Sequence, residues 1–288
     1  MKTCAGPDPH PKKPRFAPPP NTCDAHCHVF GPASAFPYNP ARSYTPPDAP
    51  KENLMALHRV LGIERAVIVQ ASCHGSDNRA MLDAIAASGG RYRGVAIVDE
   101  SVTDRDFRDL HEGGVRGVRF NFVKHLGGMP DLYFFKRVLP RFKAMGWHLI
   151  LHLDAADLVA FAETFATLPV PFVIDHMGRV KAGDGLEQSS FRALLDLMLR
   201  EHAWVKVCGS ERISMAGPPF HDAVPFAQAL IAAAPDRVLW GTDWPHPNIA
   251  RHMPNDGDLV DLVPLIAPDP AIRQKLLVAN PARLYDFG

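Results

Sequence analysis

HLILHLD, residues 148–154, is a run of large apolar residues with a histidine at its far end. Strands that are apolar on both faces belong to parallel sheets covered by helices on either side. RAVIVQ (65–70) repeats the pattern and also ends on a polar residue. Working outward, the same signal predicts strands at 22–28, 66–70, 93–98, 115–120, 148–153, 171–175, 204–207 and 237–240. Segments of helical period lie between them, near 51–61, 77–88, 103–112, 131–145, 155–166, 187–201 and 219–234. Two more helices, near 257–266 and 269–279, close the chain.

Eight strand–helix repeats fit a doubly wound open sheet or a closed barrel. The polar residues separate the two. They stand at strand ends spread over the whole chain, and only a closed barrel gathers such tips at one mouth. The expected architecture is α/β: a single (β/α)8 TIM barrel over residues 21–288, preceded by a proline-rich arm, residues 1–20, lying extended on the surface.

Composition narrows the function. The 288 residues are 47% hydrophobic and 22% charged, which suits a soluble chain with a sizeable core. Lys+Arg and Asp+Glu both total 31, so neither a basic nucleic-acid binder nor an acidic tail is indicated. The five cysteines form no CxxC pair, which argues against a disulfide framework or zinc ribbon. The opening residues lack the apolar stretch of a secretory signal, and no apolar run is long enough to span a membrane. A cytoplasmic protein without membrane or nucleic-acid partners is expected. Nothing in the sequence indicates its oligomeric state.

The fourteen histidines carry more information. In DAHCHVF (24–30), His26 and His28 are two apart at the end of the first strand, so their imidazoles share a side while Cys27 points away. His152 ends strand five, His176 ends strand six in VIDHMGR, and Asp243 follows strand eight in VLWGTDWPHP. Imidazole and carboxylate side chains converging in this way are the ligands that a divalent ion takes. His58, His111, His148, His202, His221 and His252 are read as structural. Cys73 and His74 are at most pocket lining, and Lys124 is read as a solvated or anion-facing charge.

HxH on strand one, His on strands five and six and Asp on strand eight resemble the amidohydrolase superfamily of metal-dependent hydrolases. DAHCHVFGP (24–32), VIVQASCHGSDN (67–78), LHEGGVRGVRFNF (110–122), VIDHMGR (173–179), GTDWPHPN (241–248) and NPARLYDF (280–287) further resemble its 2-pyrone-4,6-dicarboxylate lactonase group. The resemblance implies hydrolysis of an anionic lactone, carboxylated or sulfonated, in aromatic-compound catabolism. It assigns substrate contacts to Tyr44, Ser72, Arg119, Arg179 and Arg212, and the planar fork of arginine suits carboxylate oxygens. His246, in DWPHP, is a further candidate contact or else a residue that holds its loop.

Two positions depart from that group. His152 stands where those lactonases carry Tyr, and His125, in the substrate-contact set, stands where they carry Arg. Those lactonases work without a metal, whereas His152 restores the strand-five histidine of the metal-binding members. The expectation is therefore one divalent ion, zinc or alternatively manganese, held by His26, His28, His152 and Asp243. Asp243 would serve as general base and His176 would polarise the carbonyl. A metal-free lactonase with Asp243 as base is the alternative, followed by a decarboxylase or lactone isomerase of the same superfamily.

Overall fold

The computed structural model describes residues 2–126, 131–249 and 251–288. The barrel strands, numbered here in chain order, are β1 Cys23–Cys27, β2 Arg65–Val69, β3 Tyr92–Ala96, β4 Val115–Asn121, β5 His148–His152, β6 Phe172–Ile174, β7 Ala203–Lys206 and β8 Val238–Leu239. Each pairs in parallel with its neighbour in the chain. The eight predicted strands are present, with ends shifted by a residue or two. Several predicted helices are interrupted or shortened, the 257–266 helix among them, which divides at Leu262. The 155–166 helix breaks at Phe161, whose ring packs near Phe122 and Phe165. The 219–234 helix begins only at Val224, because Phe220 adopts a left-handed backbone.

The sheet order leaves β1 and β8 at its two ends, and a different set of bonds joins them. Ala25 N–H donates to the Trp240 carbonyl at 2.8 Å, Asp243 N–H to His26 at 2.7 Å, and His28 N–H to Trp244 at 2.8 Å. The buried Asp24 carboxylate reinforces this seam. It accepts from the Thr242 backbone (2.9 Å), the Thr242 hydroxyl (2.6 Å), the His26 backbone (3.1 Å) and the His58 ring (3.2 Å). Gly241 is required there, because a Cβ would come within 2.5 Å of the His26 nitrogen. No helix among the described residues is long and apolar enough to cross a membrane.

Side-chain alternation divides the strands into two layers. Ile68, Val118, Leu149, Leu151, Phe172 and Val205 face outward and pack with helix residues such as Met81, Phe142, Leu194 and Phe226. Val67, Val69, Val95, Ile150, Val173 and Leu239 fill the lower interior, where Tyr285 and Phe287 join them. Above this apolar layer the inward positions become polar: Arg119, His152, Asp175 and Lys206. That change of composition separates the structural end of the barrel from its chemical end.

Residues 2–16 run across the mouth. Lys2–Thr3 pair in parallel with Tyr44–Thr45, and the Cys4 thiol lies 3.3 Å from the Asn248 amide oxygen. Further along, Lys12 N–H donates to Asn255 (2.9 Å) and Arg15 N–H to Asp261 (2.7 Å). This segment ties the loop carrying Tyr44 to the loop that follows β8.

Candidate active site

A β-bulge between Asp24 and Cys27 interrupts the alternation of β1. Cys23 and Ala25 face the interior and Cys27 joins the outer layer, while His26 and His28 both turn to the mouth. Asp243 reaches them from just beyond β8 through a left-handed backbone (φ 66°), as does His176 beyond β6 (φ 50°). Such conformations are uncommon outside glycine, and they concentrate at functional sites.

The two oxygens of Asp243 have separate partners. Oδ2 is paired with Arg212, which also donates to the Pro247 carbonyl at 3.2 Å. Oδ1 faces three imidazole Nε2 atoms, at 3.4 Å from His28, 3.6 Å from His26 and 3.9 Å from His176. Burial alone would raise the Asp243 pKa, but Arg212 and then His176 hold it well below the ordinary carboxylate value. The aspartate is thus an anion. Burial lowers the His26 pKa to about 4, aided by Lys206, and takes His152 and His176 well below their ordinary value. These imidazoles are neutral at pH 7.

Hydrogen-bond partners then assign the ring protons. His28 Nδ1 lies 2.7 Å from the Val69 carbonyl, which can only accept, so Nδ1 carries a proton and Nε2 is the ring atom turned to the cleft. His176 Nδ1 lies 3.4 Å from the Cys208 sulfur, and burial keeps that thiol protonated by raising its pKa well above the ordinary value. A thiol can donate to Nδ1 or accept from it; when S–H donates, His176 presents an N–H to the cleft. His28 Nε2 and Asp243 Oδ1, both buried, stand 3.4 Å apart, and a proton or a cation between them would satisfy both.

His26, His28 and Asp243 each offer a ligand atom within 4.8 Å of the other two. Tetrahedral zinc with bonds of about 2.0–2.1 Å separates its ligands by about 3.4 Å, close to the spacings of Asp243 Oδ1 from the two Nε2 atoms. The donor types fit a divalent ion, and Asp243 Oδ1 and His26 Nε2 are buried without a hydrogen-bond partner. His152, expected among the ligands, stands outside this group. It sits opposite Asn121 in the β4–β5 register, with Nδ1 2.9 Å from the Asn121 amide oxygen, across the barrel from the β1–β8 seam.

The remaining expected residues divide clearly. A cavity of about 70 Å³ is lined by His28, Tyr44, Ser72, Arg119, His152, His176, Arg179, Arg212 and Asp243, together with Leu126, Pro247 and Asn248. An adjoining cleft of about 260 Å³ shares Arg179, Arg212 and Asn248 and adds Arg251 and His252. Ser72 donates to the Tyr44 hydroxyl at 3.3 Å, and Arg179 reaches Asp154 at 3.3 Å. His246 is not on the cavity wall. Its ring is buried 3.0 Å from Asp256, with Glu211 at 4.0 Å, so it supports the loop behind Asp243. The His125 backbone lies in the 3-10 turn Lys124–Leu126, and its side chain is outside the described residues. His74 holds the loop at Gly31, to whose N–H it is 3.1 Å, instead of lining the cavity.

Several charged residues of the site escaped the sequence reading. Lys206 and Asp175 are fully buried beneath His26, and Arg119 pairs with Asp175 at 3.2 Å. A lone lysine within the apolar WVKV (204–207) was the available signal. Glu211 is buried beside Asp243, and burial pushes its pKa up to about 7. His148, read as structural, starts β5 inside the barrel with its pKa lowered to about 3 by burial.

This buried imidazole set makes stability depend on pH. The unfolded chain protonates its histidines near the ordinary value of 6.5, while folded His26 and His148 resist to about 4 and about 3. Their contribution is complete above 6.5 and is lost as the pH falls toward those folded values. Unfolding free energies from urea titrations should therefore drop as the pH falls from about 6.5 to about 5, by on the order of 1 kcal/mol per pH unit for each such ring, and the midpoints with them. Equal midpoints would mean that these rings are not held neutral.

A family model described as amidohydrolase matches residues 23–287. The chain is 49% identical over 286 residues to a 2-pyrone-4,6-dicarboxylate hydrolase of Comamonas testosteroni, covering 96% of this chain and 93% of the relative. It is 44% identical to a 4-sulfomuconolactone hydrolase of Rhizobium radiobacter, covering 98% and 95%. A crystal structure from Agrobacterium tumefaciens superposes with a TM-score of 0.85 at 30% identity, covering 96% of this chain and 99% of that one.

Proposed function

The chain belongs to the amidohydrolase family, and on that footing we propose that it hydrolyses a small anionic lactone of aromatic-compound breakdown. The substrate would carry carboxylate or sulfonate groups, as the names of the two relatives specify. The observation that carries this reading is one anionic oxygen, Asp243 Oδ1, facing three buried imidazoles at the foot of a cavity walled by Arg119, Arg179 and Arg212. All five cysteines are free, which accords with a reducing, cytoplasmic setting.

Asp243 Oδ1 is placed to take a proton from water as that water attacks the lactone carbonyl, and then to return it to the departing ring oxygen. His176 N–H meets the oxygen on which negative charge develops. The arginines hold the acidic substituents, so binding away from the reacting carbon orients it. Three guanidinium groups on a cavity wall that carries one carboxylate, Asp243, favour an anionic ligand over a neutral one.

An aspartate held this far below its ordinary pKa is a weak base for ordinary water. We therefore assign one divalent ion, zinc or manganese, to His26, His28 and Asp243. When bound, it supplies Lewis acidity that brings the pKa of a water from 15.7 toward about 7. Purified protein should carry close to one such ion per chain, lose activity on chelation and regain it on adding zinc or manganese. Absence of metal together with chelator-insensitive turnover would leave Asp243 acting alone, the second reading, which the Lys206–His26 contact favours.

Arg119→Met should raise KM about tenfold or more, since a charged hydrogen-bond pair contributes roughly 1.5–3 kcal/mol. Steady-state kinetics with 2-pyrone-4,6-dicarboxylate and 4-sulfomuconolactone test both claims. Turnover of neither substrate would reject the proposed class, and an unchanged KM would take Arg119 out of substrate binding.

A further inference from the structure

Two charged groups compete for one nitrogen of His26. Nδ1 lies 2.9 Å from Lys206 Nζ and 3.2 Å from Asp175 Oδ1, and those two groups are 3.3 Å apart. All three side chains are fully buried. An ammonium only donates and a carboxylate only accepts. Facing Lys206, Nδ1 must offer its lone pair, and the ring proton lies on Nε2. Facing Asp175, Nδ1 carries the proton and Nε2 offers the lone pair.

The geometry separates these alternatives. The Lys206 contact is shorter and satisfies hydrogen-bond angles, whereas both Asp175 oxygens are without a well-aligned partner. Asp175 is instead held by charge, with Arg119 Nη2 3.2 Å from its second oxygen. At His28 no such choice exists, because the Val69 carbonyl fixes the proton.

We propose that Lys206 is a positioning residue that sets the tautomer of His26, keeping its proton on Nε2 so that the ring faces Asp243 as a hydrogen-bond donor. Cation binding by His26 through Nε2 then requires Lys206 to turn to Asp175 and the ring proton to move to Nδ1, from which it is donated to Asp175 as a hydrogen bond. Lys206 therefore opposes metal, and Asp175 is the alternative partner that permits it. The metal part of this inference rests on the ligand set proposed above; the tautomer does not.

The test uses the full chain stripped of metal. Long-range ¹⁵N–¹H NMR of the imidazoles should show His26 as Nε2–H in the wild type and as Nδ1–H in Lys206→Met, with Lys206→Arg restoring the wild-type form. In calorimetric zinc titrations, Lys206→Met should bind about tenfold or more tightly, the scale on which ligand-orienting partners act. A wild-type His26 in the Nδ1–H form overturns the proposal, as does a folded Lys206→Met with unchanged tautomer and affinity. Should Lys206→Met not fold, the wild-type spectrum alone decides. Should the wild type bind no zinc while His26 is Nε2–H, the metal reading fails and the role of Lys206 stands.

Discussion

Asp243→Asn is expected to lower kcat by about a hundredfold or more while the barrel stays folded. The substitution preserves shape, and the amide oxygen can still accept from Arg212, which also keeps its bonds to the Pro247 carbonyl. What changes is the atom facing the cleft. An acceptor aimed at three imidazoles becomes an NH2 group, which can neither take a proton from water nor return one to a leaving oxygen. The proposed substrate contacts Arg119 and Arg179 are untouched, so KM should move far less than kcat. A thermal melt alongside the kinetics separates lost chemistry from lost fold. A folded variant with near-normal kcat would remove Asp243 from the role of base.

Asp24→Ala is expected to cost stability on the scale of a broken buried ionic network, about 3–5 kcal/mol. The carboxylate is fully buried and holds four donors on β1, on the segment after β8 and on the helix carrying His58. Removing it leaves the Thr242 and His26 amides unpaired where the barrel closes, and no water reaches them cheaply. Asp24→Asn retains one acceptor oxygen and should cost less. Denaturant midpoints at constant slope measure both variants. A loss under about 1 kcal/mol for Asp24→Ala would mean that backbone bonds alone hold the seam.

The strands were legible because each pairs an apolar run with a polar tip, as in HLILHLD. His26, His28, His176 and Asp243 were legible for the same reason, since strand order predicts which tips meet. His152 was harder. Its place at a tip is plain in the sequence, but whether an inward side chain reaches the metal donors depends on where its strand stands around the ring. β5 is opposite the seam, and Asn121 holds the His152 ring on that side. Lys206 and Asp175 were missed because a charge within an apolar strand reads as an interruption until its counter-charge, distant in sequence, is in view. For His246 the sequence left both a substrate contact and a loop-holding role open, because DWPHP places it beside Asp243 along the chain, while the left-handed backbone at His246 (φ 58°) turns it toward Asp256.

The crossing of the mouth by residues 2–16 makes three surface segments behave as one. Cys4 contacts Asn248, its neighbours pair with Tyr44–Thr45, and Lys12 and Arg15 anchor beyond at Asn255 and Asp261. Neither the Tyr44 loop nor the segment after β8 can open fully without releasing the same stretch of chain. In terms of amide hydrogen exchange, the cavity wall is then a single cooperative opening unit, and its protection is set by the free energy of detaching the whole strap, not by the solvent exposure of any one loop.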